Sequence, residues 1–275
     1  MIKRILVGIS DRMYSLSATY HAVEVAKQTE ASLTAISVID YAALRDVGPT
    51  TMGSGPYATE LRRERLQLAE EVVSDAVDAF ERICARENVP HQVVREDGDP
   101  LGTFIQFARY HDLAVVGLHR LFEHGVVEDP IDEVERLVSG GVRPLLAVSP
   151  EFHPIRRVLI AYSGSAESAR TIRQFAQLHH LWDDLTAHVV HFGREIGSSE
   201  KMLRDTANYL SDHGLDATTE AVDDSPKRLL AYAADWDADL IVMGNSNRNL
   251  LMKRVFGDTA LMAMRESPIP LFLSQ

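Results

Sequence analysis

The chain contains one pattern of apolar segments twice, in the same order. Each copy opens with a basic pair, an apolar run and a serine, Lys-Arg-Ile-Leu-Val-Gly-Ile-Ser at 3–10 and Arg-Arg-Val-Leu-Ile-Ala-Tyr-Ser at 156–163. The later matches, in order, are 33–39 with 185–191, 113–117 with 240–244, and 144–148 with 270–274. Repetition at this scale indicates two copies of one structural unit. The fold must therefore be one that can be built twice from 275 residues.

The first copy is longer because it carries extra chain around Tyr41–Ala58. That stretch holds Gly48-Pro49 and Gly53-Ser-Gly-Pro56, a composition that is typical of a loop or lid. The copies meet near Pro150–Pro154. We therefore expect one domain at 1–150 and a second at 151–275.

Within each copy, short β-branched runs alternate with helical patterns. Ten runs have the character of buried parallel strands, near 4–9, 32–39, 91–96, 112–117, 144–148, 156–162, 184–192, 216–222, 238–243 and 270–273. Apolar spacing predicts a long helix over 60–88. Another helix is predicted over 165–181, with Ser165 as its N-cap and Ser168 as the alternative. The alternation predicts an α/β fold of two tandem doubly wound parallel sheets, each with five strands.

In doubly wound sheets, ligands bind beyond the carboxyl ends of the strands, where the strand order reverses. The loops after the first and fourth strands of each copy are therefore the candidate binding sites. These loops are Ser10–Ser15, Gly117–Pro130, Ser163–Glu167 and Gly244–Asp258.

Composition excludes several classes of protein. The formal net charge is −12 at pH 7, which argues against nucleic-acid binding because that needs a positive surface. The single cysteine excludes a disulfide framework and a zinc site built from several cysteines. No apolar run approaches the roughly 18 residues that cross a bilayer, and the N-terminus lacks a signal-peptide layout. We expect an acidic, soluble, cytoplasmic protein with no membrane contact.

The second copy resembles a known family. Asp239-Leu-Ile-Val-Met-Gly-Asn-Ser246, Gly257-Asp-Thr259 and Ser267-Pro-Ile-Pro-Leu-Phe-Leu-Ser274 are similar to the C-terminal part of a universal stress protein domain. Arg157–Ser165 resembles the start of such a domain. The chain as a whole resembles two of these domains in tandem.

The resemblance implies a strand order of 3-2-1-4-5 in each half. Single-domain members usually dimerise through the last strand, so a tandem chain is expected to place 144–148 against 270–273. The two halves would then form an intramolecular pseudo-dimer. Further association of two chains into a homodimer stays open.

The resemblance also implies a nucleotide site. Some members bind ATP through Gly-x2-Gly-x9-Gly-Ser/Thr after the fourth strand, helped by an Asp after the first strand. Glycines let backbone amides approach phosphate oxygens, and the last positions open a helix whose N-terminus favours an anion. The candidate residues for ATP or another adenine nucleotide are Tyr162, Ser163, Met243, Gly244, Asn247, Gly257, Asp258 and Thr259.

Three of these positions depart from the family pattern. Asn247 replaces the second glycine, although asparagine tolerates left-handed backbone. Ser163 replaces the Asp after the first strand, and Asp258 replaces the hydroxyl residue. At about 4 Å, Asp258 would repel a phosphate charge by roughly 1 kcal/mol in water and about 4 kcal/mol at an effective dielectric near 20. A divalent metal ion bridging Asp258 and phosphate would reverse that effect, so we expect metal only together with nucleotide.

The corresponding loop of the first half keeps only Gly117. Pro130 occupies the third glycine position and has no amide to donate. Glu128 and Asp129 would repel phosphate. We therefore expect no nucleotide in the first half.

Several singled-out residues also have a purely structural interpretation. Gly244–Thr259 could merely shape the exit of the fourth strand, and Ser163-Gly-Ser165 is better explained as a helix-capping turn than as a pyrophosphatase-type phosphate loop. Cys84 is expected to be a buried structural thiol. His188 and His191 are expected on opposite faces of a strand.

Two further groups are expected to be structural or solvated. The histidines near the first-half loop are expected to be solvated rather than metal ligands: His111, His119 and His124. Four methionines near the second-half loop are expected to fill the core, with a flexible apolar lip around a ligand as the alternative: Met243, Met252, Met262 and Met264.

Three functions from different classes remain. The first is a regulatory protein of the universal stress protein type, acting on unidentified protein partners with nucleotide as a switch. The second is a scaffold or dimerisation module that needs no nucleotide. The third is a slow ATPase, for which a base, a positioned water and a metal clamp are required. We find no such catalytic constellation in the sequence.

Overall fold

Ten strands form one sheet, and the first half supplies five of them. The computed structural model describes residues 2–45, 55–118, 131–142, 144–193, 196–244 and 258–274. The first five strands are β1 (Arg4–Gly8), β2 (Ser32–Ile39), β3 (His91–Asp97), β4 (Leu113–Gly117) and β5 (Leu145–Val148). The next five are β6 (Arg157–Ala161), β7 (Thr186–Phe192), β8 (Ala217–Val222), β9 (Leu240–Gly244) and β10 (Leu271–Ser274). All ten lie within two residues of their predicted positions.

Nine α-helices connect these strands in the described residues. Those of the first half are α1 (Arg12–Thr29), α2 (Tyr41–Arg45), α3 (Gly55–Glu87), α4 (Pro100–Ala108) and α5 (Ile131–Ser139). Those of the second half are α6 (Ala166–Leu178), α7 (Ile196–Asp212), α8 (Leu229–Asp235) and α9 (Asp258–Glu266). Short 3-10 helices follow α6 at His179–Leu181 and precede α8 at Pro226–Arg228.

The strand order is β3-β2-β1-β4-β5-β10-β9-β6-β7-β8. Each half therefore has the order 3-2-1-4-5, and its strands are parallel, which confirms the predicted fold class. The two five-stranded sheets are joined edge to edge because β5 and β10 pair antiparallel, with Phe272 opposite Leu146. All residues of these two short strands are buried. Each half thus covers the edge that the other would expose.

The helices form one layer on each face of the sheet. Buried residues of α1, α3, α6 and α7 share one core cluster, and those of α4, α5, α8 and α9 share the other. Within each half the chain therefore changes face once, at β3 in the first half and at β8 in the second, and it returns to the first face between the halves. These changes place the points of strand-order reversal at β1/β4 and β6/β9, as predicted for the candidate loops.

The halves are also in contact outside the sheet. On one face, α1 packs beside the 3-10 helix His179–Leu181, and the Gln28 side-chain amide donates a hydrogen bond to Asp183 at 2.6 Å. On the other face, α5 packs beside α9. The segment between β5 and β6 contributes Phe152, whose ring lies 5.4 Å from that of Tyr20. The pseudo-dimer is therefore held by the sheet and by both helical layers.

The sequence predicts a loop or lid around Tyr41–Ala58, and this prediction is wrong for the residues that the structure describes. The first residues of this stretch form α2, and α3 begins at Gly55, five residues before the predicted helix start. The described parts of this stretch are thus helical rather than loop. A proline is favoured in the first turn of a helix, which explains why Pro56 does not delay the start. Residues 46–54 of the insertion lie outside the described residues.

Two local predictions are confirmed. Ser165 is the N-cap of α6, since its side chain accepts a hydrogen bond from the Ser168 amide at 3.1 Å. Cys84 is fully buried on α3, and burial raises the pKa of its thiol to about 12. A thiol with such a pKa is almost entirely protonated at neutral pH, so Cys84 is structural rather than nucleophilic.

His21 lies at the junction of the two halves, and neither of its ring nitrogens has a hydrogen-bond partner among the described residues. The imidazole is fully buried on α1, and its ring is 4.7 Å from that of Phe152. Burial, with a smaller effect from His153, lowers the pKa of His21 to about 3. The folded chain therefore holds this side chain neutral over a pH range in which the unfolded chain protonates it.

We expect His21 to make folding sensitive to acid. Because the folded pKa is depressed, the stability present above about pH 6.5 is lost as the pH falls toward 3, by up to about 1.4 kcal/mol per pH unit. His21→Leu should flatten the fall in unfolding free energy between pH 7 and 4.5, measured by urea denaturation. His180→Leu, at an exposed histidine, should keep the native slope. Equal slopes for native protein and His21→Leu would contradict this account.

Candidate functional site

The described part of the candidate site lies at the carboxyl ends of β6 and β9. These strands are neighbours, with Ala161 paired to Met243. The turn after β6 runs from Tyr162 into α6, and α9 starts at Asp258, followed by the half-buried Thr259. The remaining predicted residues lie outside the described residues: Asn247 and Gly257 of the second half, His119, His124, Glu128, Asp129 and Pro130 of the first, and Met252.

The turn after β6 is anchored to its neighbouring strand. The Tyr162 amide donates to the Val190 carbonyl at 2.9 Å. The Tyr162 carbonyl accepts from Nδ1 of His191 at 2.8 Å. Hydrogen bonds at both the amide and the carbonyl of Tyr162 thus fix the backbone at the start of this turn. His188 points to the other face, toward α8, which confirms the opposite placement of the two histidines.

Three serine hydroxyls cluster in this turn. Ser163 Oγ lies 3.0 Å from Ser165 Oγ and 3.1 Å from Ser168 Oγ. Ser168 also bonds back to the Ser165 carbonyl at 3.0 Å. Gly164 between them has φ +76, in the left-handed region that glycine adopts without strain. The bonds within the cluster support the helix-capping interpretation of Ser163-Gly-Ser165.

Tyr162 follows β6, and Met243 lies near the end of the neighbouring strand β9, but the two side chains face opposite sides of the sheet. The Tyr162 ring packs on the α6/α7 face, whereas Met243 belongs to the core of the α8/α9 face. Only 5% of Met243 is exposed, and Met264 is fully buried, which agrees with core filling. Met262 is half-buried. The two strand ends therefore lie between the helical layers, where doubly wound sheets form a ligand crevice, and Met243 offers little surface there.

Gly244 is required by packing. A Cβ at this position would lie 2.6 Å from Ser168 Cα and 2.9 Å from the Ser168 amide nitrogen. It would also lie 2.8 Å from Oγ1 of Thr171, which donates to the Ser274 carbonyl. Because the nearest atoms are backbone, α6 could not cross β9 this closely over any other residue. The glycine therefore has a structural explanation that needs no phosphate.

The first half repeats this close approach of a helix to the fourth strand. A Cβ on Gly117 would meet Tyr14 Cβ at 2.7 Å, because α1 crosses β4 as α6 crosses β9. At the start of α1, Asp11 accepts from the Tyr14 amide at 2.9 Å and thus serves as the N-cap. The Ser10 amide donates to Ser15 Oγ at 2.9 Å. The shared glycine thus follows from the shared helix–strand crossing.

A network of side-chain hydrogen bonds on the α8/α9 face of the sheet, called the polar relay below, was not predicted from the sequence. His188 Nδ1 is 2.7 Å from the Thr218 hydroxyl, and its Nε2 is 2.7 Å from the Tyr232 hydroxyl. Tyr232 donates to Glu220 at 2.6 Å. Burial lowers the pKa of His188, and burial with the Glu220 bond raises the pKa of Tyr232. The relay holds a neutral imidazole and joins α8 to the outer strands.

A groove between α6 and α7 also escaped the sequence analysis. It encloses about 450 Å³ and opens beside Tyr162, with Arg173 on α6 and Lys201 on α7 at its rim. Its lining residues lie on two separate helices. Their positions in the sequence could indicate a groove only if the way the two helices face one another were already known.

The residues that the structure describes contain no group of three or more histidine, cysteine or acidic side chains arranged to hold a metal ion. Nor does any helix within them combine the length and apolar character that crossing a bilayer requires.

Comparison with known proteins identifies the family of this chain and one relative of part of it. The model of the universal stress protein family matches residues 1–136 and 193–274. Universal stress protein Slr1230 of Synechocystis sp. is 29% identical over 146 residues, which are 50% of this chain. The match spans about half, 48%, of that relative's own length.

Two solved structures share the fold across nearly the whole chain. A universal stress protein from Archaeoglobus fulgidus has a TM-score of 0.64 at 16% identity, covering 98% of each chain. A functionally unknown protein, PA1789, from Pseudomonas aeruginosa has a TM-score of 0.63 at 17% identity, covering 99% of this chain and 92% of its own. At such identities the likeness shows the fold alone.

We expect Gly244→Ala to destabilise the protein through the α6–β9 crossing. Inserting a methyl group against rigid backbone should lower the free energy of unfolding by about 1–3 kcal/mol, as measured by urea denaturation. Gly214→Asn is the control, since no atom lies within 4 Å of a Cβ at that left-handed position and asparagine tolerates such backbone. The control should lose less stability. A Gly244→Ala variant as stable as the native protein would refute the packing explanation.

Proposed function

This chain belongs to the universal stress protein family, and we propose that it is a regulatory binding protein whose second half takes ATP or another adenine nucleotide. The observation that carries the proposal is that the carboxyl ends of β6 and β9 lie side by side at a strand-order reversal. The turn into α6 follows the first of these strands, and α9 begins beyond the second. Doubly wound sheets bind their ligands at this position.

The backbone around the crevice is suited to an anion. Helices α6 and α9 both begin at this edge, from strands that lie side by side. Their first amides and their dipoles favour negative charge at the N-termini. Because α6 and α9 belong to opposite helical layers, a ligand between the strand ends would be approached by amides from both sides.

The proposed roles follow the family resemblance position by position. Backbone amides of Gly244, Asn247 and Gly257 would approach the phosphates, and Thr259 would supply a hydroxyl. Asp258 would take part through a divalent cation bound with the nucleotide. The proposed set is completed by Tyr162 and Ser163, and by Met243, whose side chain is buried in the core.

The two halves are proposed to differ in role. We assign residues 1–150 to a domain that keeps the framework without nucleotide, and 151–275 to the nucleotide-binding domain. The segment between β5 and β6 supports this boundary, because it links the last strand of one half to the first of the other. Protein partners would bind to surfaces of the pseudo-dimer and would respond to whether the second half holds nucleotide.

A nucleotide-independent scaffold is the second candidate function. It is favoured by one specific observation, namely that Gly244 and Gly117 are both explained by helix–strand packing. On this hypothesis the loops would be surface only. The pairing of β5 with β10 uses the strand edges through which single-domain relatives are expected to dimerise, so association of two such chains would need another surface.

Titration with ATP separates these functions. We expect the native chain to bind ATP weakly in the presence of Mg²⁺, measured by calorimetry and by the shift in melting temperature. Without Mg²⁺, replacing Asp258→Ser together with Asn247→Gly should increase ATP affinity at least about tenfold, which is roughly 1.4 kcal/mol. With Mg²⁺ the gain should be smaller, because a bound cation neutralises the Asp258 carboxylate of the native chain.

The control is Asp235→Ser at the exposed end of α8, which removes the same charge away from the crevice. It should leave ATP affinity within about twofold of the native value, since exposed charges are screened over distance. If neither the native chain nor the double variant shows a thermal shift at millimolar ATP, and no adenine nucleotide co-purifies, the scaffold function replaces the nucleotide function.

A further inference from the structure

The groove between α6 and α7 distinguishes the second half from the first. In the first half, α1 and α3 pack along each other on the same face of the sheet. In the second half, the corresponding helices α6 and α7 stand apart, and a cavity of about 450 Å³ opens between them. That volume lies within the range typical of small-molecule sites, roughly 300–1,000 Å³.

The inner surface of the groove is apolar and partly aromatic. Ile172 forms part of the floor from α6, and Met202 contributes a thioether from α7. Tyr162 and Tyr209 also line it, and both are half-buried. Aromatic rings and a polarizable thioether favour a flat apolar body.

The rim of the groove carries charge from both helices. Arg173 on α6 and Lys201 on α7 are exposed, and neither makes an ion pair with another described residue. Asp205, one turn beyond Lys201, also reaches the rim. Two cations and one acid leave a single net positive charge, which suits one acid group better than several.

One end of the groove is tied to the turn after β6. Met202 Sδ lies only 2.9 Å from the point that a Cβ on Gly164 would occupy. The thioether therefore rests on the glycine of the turn, and a side chain at 164 would displace it. This contact brings Met202 of α7 against the turn at the Tyr162 end of the groove.

We propose that the α6–α7 groove is a binding site for a small organic monoanion with a flat apolar body. The body lies between the tyrosine rings, and the acid group bridges Arg173 and Lys201. A nucleotide phosphate chain fits this rim poorly, because its additional charges would face Asp205. The groove borders the crevice at the strand ends through Tyr162, but its rim calls for a different ligand, and the proposal does not depend on nucleotide binding.

The test uses 8-anilinonaphthalene-1-sulfonate, an aromatic monoanion, titrated by fluorescence into the full chain without nucleotide. One probe should bind per chain. Replacing Arg173→Gln together with Lys201→Gln should weaken binding at least tenfold. The matched control, Arg170→Gln with Arg204→Gln, removes the same charge from exposed positions of the same helices outside the groove. It should retain affinity within twofold.

Two further measurements keep the proposal falsifiable if the first variant folds poorly. Ala169→Phe, which fills the groove from α6, should abolish probe binding while the melting temperature stays near the native value. N-phenyl-1-naphthylamine, the same body without the sulfonate, should bind more weakly and should not respond to the charge substitutions. More than one probe per chain, equal losses in the two double variants, or unchanged binding to Ala169→Phe would overturn the proposal.

Discussion

The antiparallel pairing of β5 with β10 is the interaction on which the rest of the molecule depends. Each strand is only four residues long and fully buried, so neither could remain an exposed edge without unpaired backbone groups. The pairing also fixes the orientation of the halves. Because their sheets become continuous, equivalent helices fall on the same face, and contacts such as Gln28 with Asp183 become possible.

The fold was readable from the sequence because its signals are local and repeated. Buried parallel strands such as β2 and β7 are short β-branched runs, and Ser165 is a strong capping residue, so their limits follow from a few residues each. The helix start at Gly55 was missed because glycine, serine and proline together indicate a loop when read one at a time. Tertiary packing of α3 against α1 and α2 overrides that weak preference.

The site was only partly readable, for a different reason. The sequence locates the crevice through strand ends, and the topology confirms where the strand order reverses. The sequence could not distinguish two reasons for a glycine at Gly244. A glycine that lets phosphate approach and a glycine that lets a helix approach are the same letter in a sequence. The distance from its absent Cβ to Ser168 shows that the helix crossing alone requires a glycine here. The α6–α7 groove depends on the spacing between two helices, which no local pattern encodes.

Fusion of the two halves explains how they can differ so much in chemistry. In a dimer of identical chains, every substitution appears on both sides of the interface. Here Gly117 and Gly244 keep the same crossing, while Pro130 and Gly257 diverge at matching loop positions. Once β5 and β10 are covalently part of one chain, the framework constrains only the residues that pack. The loops and the outer helices, α7 among them, are then free to acquire a ligand site in one half alone.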